Sequence, residues 1–284
     1  MSNGGGGPRP EFGALVPLPG PSNDRSPSAL VRQPEGGPGS ALISTRIRPV
    51  SFAPTAPFDA RLVFTDRDAR RASAFRTLRQ RLLDGGEIHS ILCTSANSGE
   101  GTTTLAANLA LSFAELGRYR VLLIEANFRR ASLASLFGFI PPAGFGSQIA
   151  RHRLYPEEPW AVVQIGPPAL FILAVEPPAC PRCAAALPVW AEFCGACGAK
   201  VGGVAALADG AGVNAAIASL REVFDFVIID GPSVLSSGDI NVIQDSADAI
   251  VMATRKGQSD ERSLGRAIEQ VAPAPLAGVV LLDA

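Results

Sequence analysis

Residues 90–104 read Ser-Ile-Leu-Cys-Thr-Ser-Ala-Asn-Ser-Gly-Glu-Gly-Thr-Thr-Thr, an apolar run that passes straight into a glycine-rich turn. A helical pattern follows from Leu105 to Leu116, closed by Gly117. Strand, glycine-rich loop and helix in that order form the context in which backbone N–H groups at a helix N-terminus cradle phosphates. On the template G-x-x-x-x-G-K-[ST] the loop falls on Ser95 to Gly101, and Thr103 takes the magnesium position. The candidate nucleotide contacts are therefore Ser98, Gly99, Glu100, Gly101, Thr102, Thr103 and Thr104. The lysine position, however, holds Thr102, which carries no charge. Only Lys200 and Lys256 occur in the whole chain, both far from the loop in sequence.

The rest of the chain builds the same kind of fold around that loop. Tyr119 to Ala126 and Phe226 to Asp230 are continuous apolar runs, the signature of parallel strands covered on both faces. Ala161 to Ile165, Leu170 to Val175, Ala249 to Thr254 and Gly278 to Leu282 read as further strands. Helical spacing marks 66–83, 132–137, 215–224 and 262–271. Alternation of this kind predicts an α/β protein, a three-layer αβα sandwich around a mostly parallel sheet. Ligands bind such sheets beyond the carboxyl ends of the strands. Ser95, Glu125 and Asp230 all end strands, so the three are expected to face one crevice. Residues 1–60 are rich in Gly, Pro and Ser without periodicity and are expected to be a disordered tail. The P-loop domain is then expected in two parts, 61–176 and 203–284, with a separate unit at 177–202 inserted between them.

That insertion carries Cys180-Pro-Arg-Cys183 and Cys194-Gly-Ala-Cys197. Two C-x-x-C pairs separated by ten residues suit tetrahedral zinc, and four thiolates make a closed, structural site. Disulfides are the alternative, set against them by the intracellular setting expected below. The unit is similar to short bacterial zinc ribbons, with Ala184 where a glycine usually follows the second cysteine. Cys93 is left over as a core residue. A net charge of −1 offers no bulk attraction to nucleic acid, and the unit adds only Arg182 and Lys200. With no run of about 20 apolar residues and no leader-like start, the chain is expected to be cytoplasmic. His89 and His152 lie in no catalytic pattern, and Arg129 and Arg130 either face phosphates or cap a helix.

In several ordered blocks the chain resembles the cytoplasmic tyrosine autokinases of bacterial capsule and exopolysaccharide export, within the MinD/ParA-type P-loop ATPases. The blocks are Ala74–Arg79, Thr94–Gly101, Val121–Ile124, Arg129-Arg130 with Ser132-Leu133, and Phe224–Asp230. The resemblance implies ATP and magnesium as cofactors, with the cation held by Thr103 and Asp230. It also implies a pair of catalytic aspartates after the second strand, but Glu125 and Asn127 stand there. Ser73 replaces an acidic partner of the helix arginines Arg76 and Arg79, and the only tyrosines are Tyr119 and Tyr155, with no terminal cluster. The expectation is a catalytically degenerate member that regulates or scaffolds the export machine, with ATP binding weakened. Its implied partner is an inner-membrane polysaccharide co-polymerase or another export protein, with self-association and peripheral attachment at the inner membrane. Two alternatives stay open: an active MinD/ParA-like ATPase or tyrosine kinase with an atypical loop, and a zinc-ribbon interaction module on a P-loop platform.

Overall fold

The computed structural model describes residues 15–16, 46–52, 54–64, 69–165, 170–176, 179–185, 187, 191–201 and 210–283. The first half of the chain gives β1 (Leu15–Val16), β2 (Ile47–Ser51), α1 (Ala69–Asp84), β3 (Ser90–Ser95), α2 (Thr102–Ala114) and β4 (Val121–Glu125). Next come α3 (Leu133–Leu136), α4 (Phe145–His152), β5 (Trp160–Ile165) and β6 (Leu170–Leu173). The second half gives α5 (Gly210–Arg221), β7 (Phe226–Asp230), α6 (Ile240–Ile243), β8 (Ala249–Arg255), α7 (Glu261–Val271) and β9 (Leu276–Leu282).

These strands form one sheet in the order β1-β9-β8-β3-β7-β4-β6-β5-β2. The expected parallel sheet is present: among the described residues only the β5–β6 and β1–β9 pairs are antiparallel. Strands β5 and β6 run antiparallel because residues 166–169 are too short a link for a helical crossover. The central strands are buried throughout, and their residues alternate between two cores. Ile91, Cys93, Leu123 and Ile228 join Phe75, Leu78, Leu109 and Phe113 of α1 and α2 on one face. Leu92, Leu122, Val227 and Ile229 join Phe145, Ile149, Ile217 and Val271 of α4, α5 and α7 on the other. Each face is thus sealed by its own helical layer, as the continuous apolar strands require.

Two readings of the sequence need correction. Most of 1–60 lies outside the described residues, but Ile47–Ser51 is a strand, parallel to β5 with Ile47 opposite Trp160. Ile47 is buried, and Pro49 is tolerated because an edge strand has one side without ladder partners. The segment after it packs on the domain: Thr55 and Asp59 donate backbone N–H bonds to Gly138 and Leu136 carbonyls at 2.7 and 3.1 Å. Leu62 and Val63 are buried there. The stretch after Phe137, where the sequence predicts no helix before the strand at Ala161, contains α4, whose Phe145 and Ile149 reach the core from only two turns.

Candidate functional site

The glycine loop folds as its sequence requires. Gly99 and Gly101 have φ of 92° and 97°, values that favour glycine. A Cβ on Gly101 would also lie 2.5 Å from Leu282 Cδ1 of β9. Gly101 caps α2 without any side-chain bond, so the first-turn N–H groups carry no side-chain cap. They face a cavity of about 400 Å³ that Ser98 to Thr104 line on one side. Phe75 and Leu78 of α1, Val63, and Val280 to Leu282 of β9 also line it, interspersed with the charged Arg61, Arg71 and Asp283. All seven nucleotide-contact candidates therefore border one space.

Within the loop the polar groups are partly spent on each other. Buried Glu100 accepts bonds from the Asn97 backbone at 3.0 Å and the Asn97 side chain at 3.2 Å, which fastens the turn. Thr102, at the lysine position, donates its hydroxyl to Ser95 Oγ at 2.8 Å, and Ser95 donates to the Asn97 carbonyl at 2.8 Å. The side chain that would reach a phosphate in a lysine-bearing loop is turned back onto the strand end.

The acidic residues separate. Asp230 is fully buried, and neither carboxylate oxygen has a hydrogen-bond partner. Burial, then the neighbouring Glu125 charge, push its carboxyl well above the usual carboxylate range. The Thr103 hydroxyl lies close enough to oppose this but makes no well-formed bond to Asp230. Glu125, its partner in register across β4 and β7, does not face the crevice. One oxygen accepts the N–H groups of Ser132 and Leu133 at the start of α3, and the other accepts Val175 N–H at 2.8 Å. The extra methylene of glutamate, relative to aspartate, lets the carboxylate reach three backbone donors, two of them buried, that need an acceptor. Burial raises its carboxyl against the lowering effect of those three bonds. Of the three expected to share a crevice, Ser95 lines the cavity and Glu125 and Asp230 do not; Asn127 does.

Cations surround the loop from outside it. Arg130 donates to Ser98 Oγ, and Arg255, at the end of β8, reaches the Gly99 carbonyl at 3.5 Å. Arg129 is spent on Asp239 at 3.3 Å. Sequence reasoning missed Arg255, although its place at the carboxyl end of a buried strand is the available signal.

The four-cysteine unit closes as its spacing predicts. The Sγ atoms of Cys180, Cys183, Cys194 and Cys197 all lie within 4.8 Å of one another, and two pairs are 3.6 Å apart. A tetrahedron with metal–sulfur bonds of about 2.3 Å has edges of about 3.8 Å, so the donor set fits such an ion. Burial opposes ionisation of the Cys180 thiol, but the backbone N–H groups of Arg182 and Cys183 and the adjacent thiols hold it down at about 6. The two halves match: Ala184 and Gly198 donate to the Cys180 and Cys194 carbonyls, both at 2.8 Å, with φ of 57° and 67°. Ala184 thus occupies a glycine conformation, as the comparison with zinc ribbons foretold. Cys93 is buried in β3, its thiol pushed up by burial. No helix among the described residues is long and apolar enough to cross a membrane.

Sheet order and loop together define a P-loop protein of the αβα kind, and a ParA family ATPase from Chlorobium tepidum shares the fold with a TM-score of 0.50. More particularly, the chain is similar in sequence to bacterial tyrosine-protein kinases. It is 27% identical over 197 residues to tyrosine-protein kinase CpsD of Streptococcus pneumoniae serotype 4, covering 66% of this chain and 72% of that protein. It is 26% identical over 214 residues to tyrosine-protein kinase YwqD of Bacillus subtilis, covering 74% and 79%. The kinase domain of Escherichia coli tyrosine kinase ETK superposes with a TM-score of 0.61 at 18% identity, over 81% of this chain and 82% of that one. The BceF tyrosine kinase domain gives 0.55 at 21% identity, over 89% and 91%. No protein-family model matches the chain.

Proposed function

We propose that this chain is a kinase-like regulatory or scaffolding protein of capsule or exopolysaccharide synthesis and export, with phosphoryl transfer largely lost. The observation that carries this is the Thr102 side chain, uncharged and bonded to Ser95 where a phosphate-binding cation belongs. Phosphoryl transfer rests on positioning and charge stabilisation, and losing one such group costs on the order of 10²–10³ in rate. The spent carboxylate of Glu125 and the neutral Asn127 act in the same direction.

Ser98 to Thr104 would cradle the phosphates. The orphaned oxygens of Asp230 beside Thr103 fit a divalent cation, so magnesium entering with the nucleotide would be held there. Zinc is the ion we assign to the four cysteines, in a structural role. We read 177–202 as an insertion into a P-loop domain formed by 61–176 and 203–284. Its exposed Phe193 supports a second reading, in which the ribbon is the contact for another protein on a P-loop platform. In either case the partner is an inner-membrane polysaccharide co-polymerase or another export protein, with the chain cytoplasmic and peripheral at that membrane.

The test is ATP turnover and tyrosine phosphorylation by the purified chain beside an active relative. We expect rates at least about 10²-fold lower. Turnover at a relative's rate that Asp230→Asn abolishes would establish the active-enzyme alternative instead. For the second reading, partner capture is measured with Cys180→Ser; capture unaffected by that change removes the ribbon as the contact.

A further inference from the structure

The kinase-like reading leaves an electrostatic question, because a polyphosphate entering the loop would meet no lysine. The answer lies at the rim. Arg130 and Arg255 approach the loop from opposite sides of the crevice, one from the segment after β4 and one from the end of β8. Their contacts at the loop are the neutral oxygens of Ser98 and Gly99. Neighbouring arginines are neutralised: Arg129 pairs with Asp239, Arg61 with Asp59 and Arg76 with Glu115. Among the described residues neither Arg130 nor Arg255 forms an ion pair. Two uncompensated guanidinium groups thus border the same cavity as the uncapped first turn of α2, whose N-terminus favours negative charge.

From this arrangement we infer that Arg130 and Arg255 supply the phosphate-binding charge that Thr102 cannot, and that the site takes the diphosphate or triphosphate of a nucleotide. A guanidinium fork accepts phosphate oxygens in a bidentate manner, and from the rim it reaches the bound anion without entering the loop. The apolar side chains of Phe75, Leu78 and Val280 in the same lining suit a base or other flat apolar group, so a nucleotide fits better than a bare polyphosphate. Charge supplied from the rim favours binding over chemistry, because it is not fixed at the transferring phosphoryl group. The inference rests on the kinase-like reading of the site, but it is tested by binding and not by turnover. Fast turnover would sink that reading, and unaltered binding by the arginine variants would sink this one.

Calorimetric titration of the full chain with Mg·ADP and with Mg·ATP makes the test. Wild type binds with a dissociation constant below about 1 mM. Arg130→Gln and Arg255→Gln each weaken binding about tenfold or more, the loss expected for a charge-assisted phosphate contact. Arg255→Lys, which keeps the charge, binds more tightly than Arg255→Gln, and all variants melt at the wild-type temperature. Adding Thr102→Lys to the double glutamine variant restores affinity by about tenfold or more. Arg151→Gln, whose arginine pairs with Glu158 elsewhere, leaves binding unchanged. Inorganic tripolyphosphate binds more weakly than Mg·ATP; equal binding would overturn the nucleotide assignment. No binding by wild type, or a double variant that binds as wild type does, overturns the inference as a whole.

Discussion

At the scale of single residues, Asp230 and Ala184 both sit where their chemistry is disfavoured, and both make predictions with a sign. An unfolded aspartate titrates at about 3.9, whereas the folded Asp230 carboxyl is held well above that range by burial and by Glu125. Below about pH 4 both states are protonated and the residue is neutral to stability. As pH rises from there, the unfolded chain releases a proton that the folded one retains. Stability then falls by about 1.4 kcal/mol per pH unit until the folded group titrates. Asp230→Asn is therefore more stable than wild type at pH 7 in magnesium-free buffer, and the gain shrinks towards pH 4. Urea midpoints across that interval check it, and a gain independent of pH would refute the burial argument. Ala184 pays for a left-handed backbone with roughly 1 kcal/mol. Ala184→Gly should tighten metal binding about fivefold in chelator competition, and Gly198→Ala should weaken it by a similar factor.

Among the elements, α2 does more than present a loop. Its fully buried Asn108 accepts the Val63 N–H at 2.8 Å and donates to the Arg61 and Thr104 carbonyls, both at 2.9 Å. One side chain thus fastens segment 54–64 over α2 and holds the Val63 wall of the cavity. Asn108→Ala strands a buried N–H and should cost about 2–3 kcal/mol, read by urea unfolding. Cleavage within 54–64 under limited proteolysis should accelerate, and unchanged cleavage would show that Asn108 does not hold the segment. That segment was illegible in the sequence for a definite reason. Its order depends on a partner some 45 residues away in the chain, and the Gly and Pro content of its neighbours masks the few apolar residues that dock. The central strands were legible because cover on both faces demands unbroken apolar runs, whereas the edge strand β2, with a proline in its middle, offered none. Helix α4 was not, since two core contacts in eight residues are too few to set a period. Likewise the phosphate loop and the cysteine unit could be read from spacing alone. The inward turn of Thr102, the diversion of Glu125 and the approach of Arg255 depend on tertiary neighbours that no spacing records.

Taken as a whole, the molecule has two cores, one on each face of the sheet, and none of the described residues of the cysteine unit belongs to either. Buried Cys180 and Cys194 are packed around the metal site instead. Chelation should therefore release four titratable thiols while the main unfolding transition moves by only a few degrees. Scanning calorimetry with and without chelator checks this, and collapse of the main transition would make the metal part of the domain's own core. The sheet edge makes the opposite case. Removing residues through Ser51 strips β1 from β9 and β2 with its buried Ile47 from β5, uncovering both sheet edges, the latter Val-rich. Such a truncation should lower stability and promote self-association, measured by light scattering, where removal of the cysteine unit should not.

Glu125 carries a consequence for how sequences of this kind drift. Its carboxylate joins β4, the start of α3 and the end of the strand that leads to the cysteine unit. A lineage released from selection for catalysis would still be penalised for losing an acceptor there, because stability is screened whether or not a reaction is. An acid at this position is consequently no mark of an active enzyme; the length of its side chain is the more telling character. Descendants would be free to vary Asn127, which closes no such junction, long before they could vary Glu125.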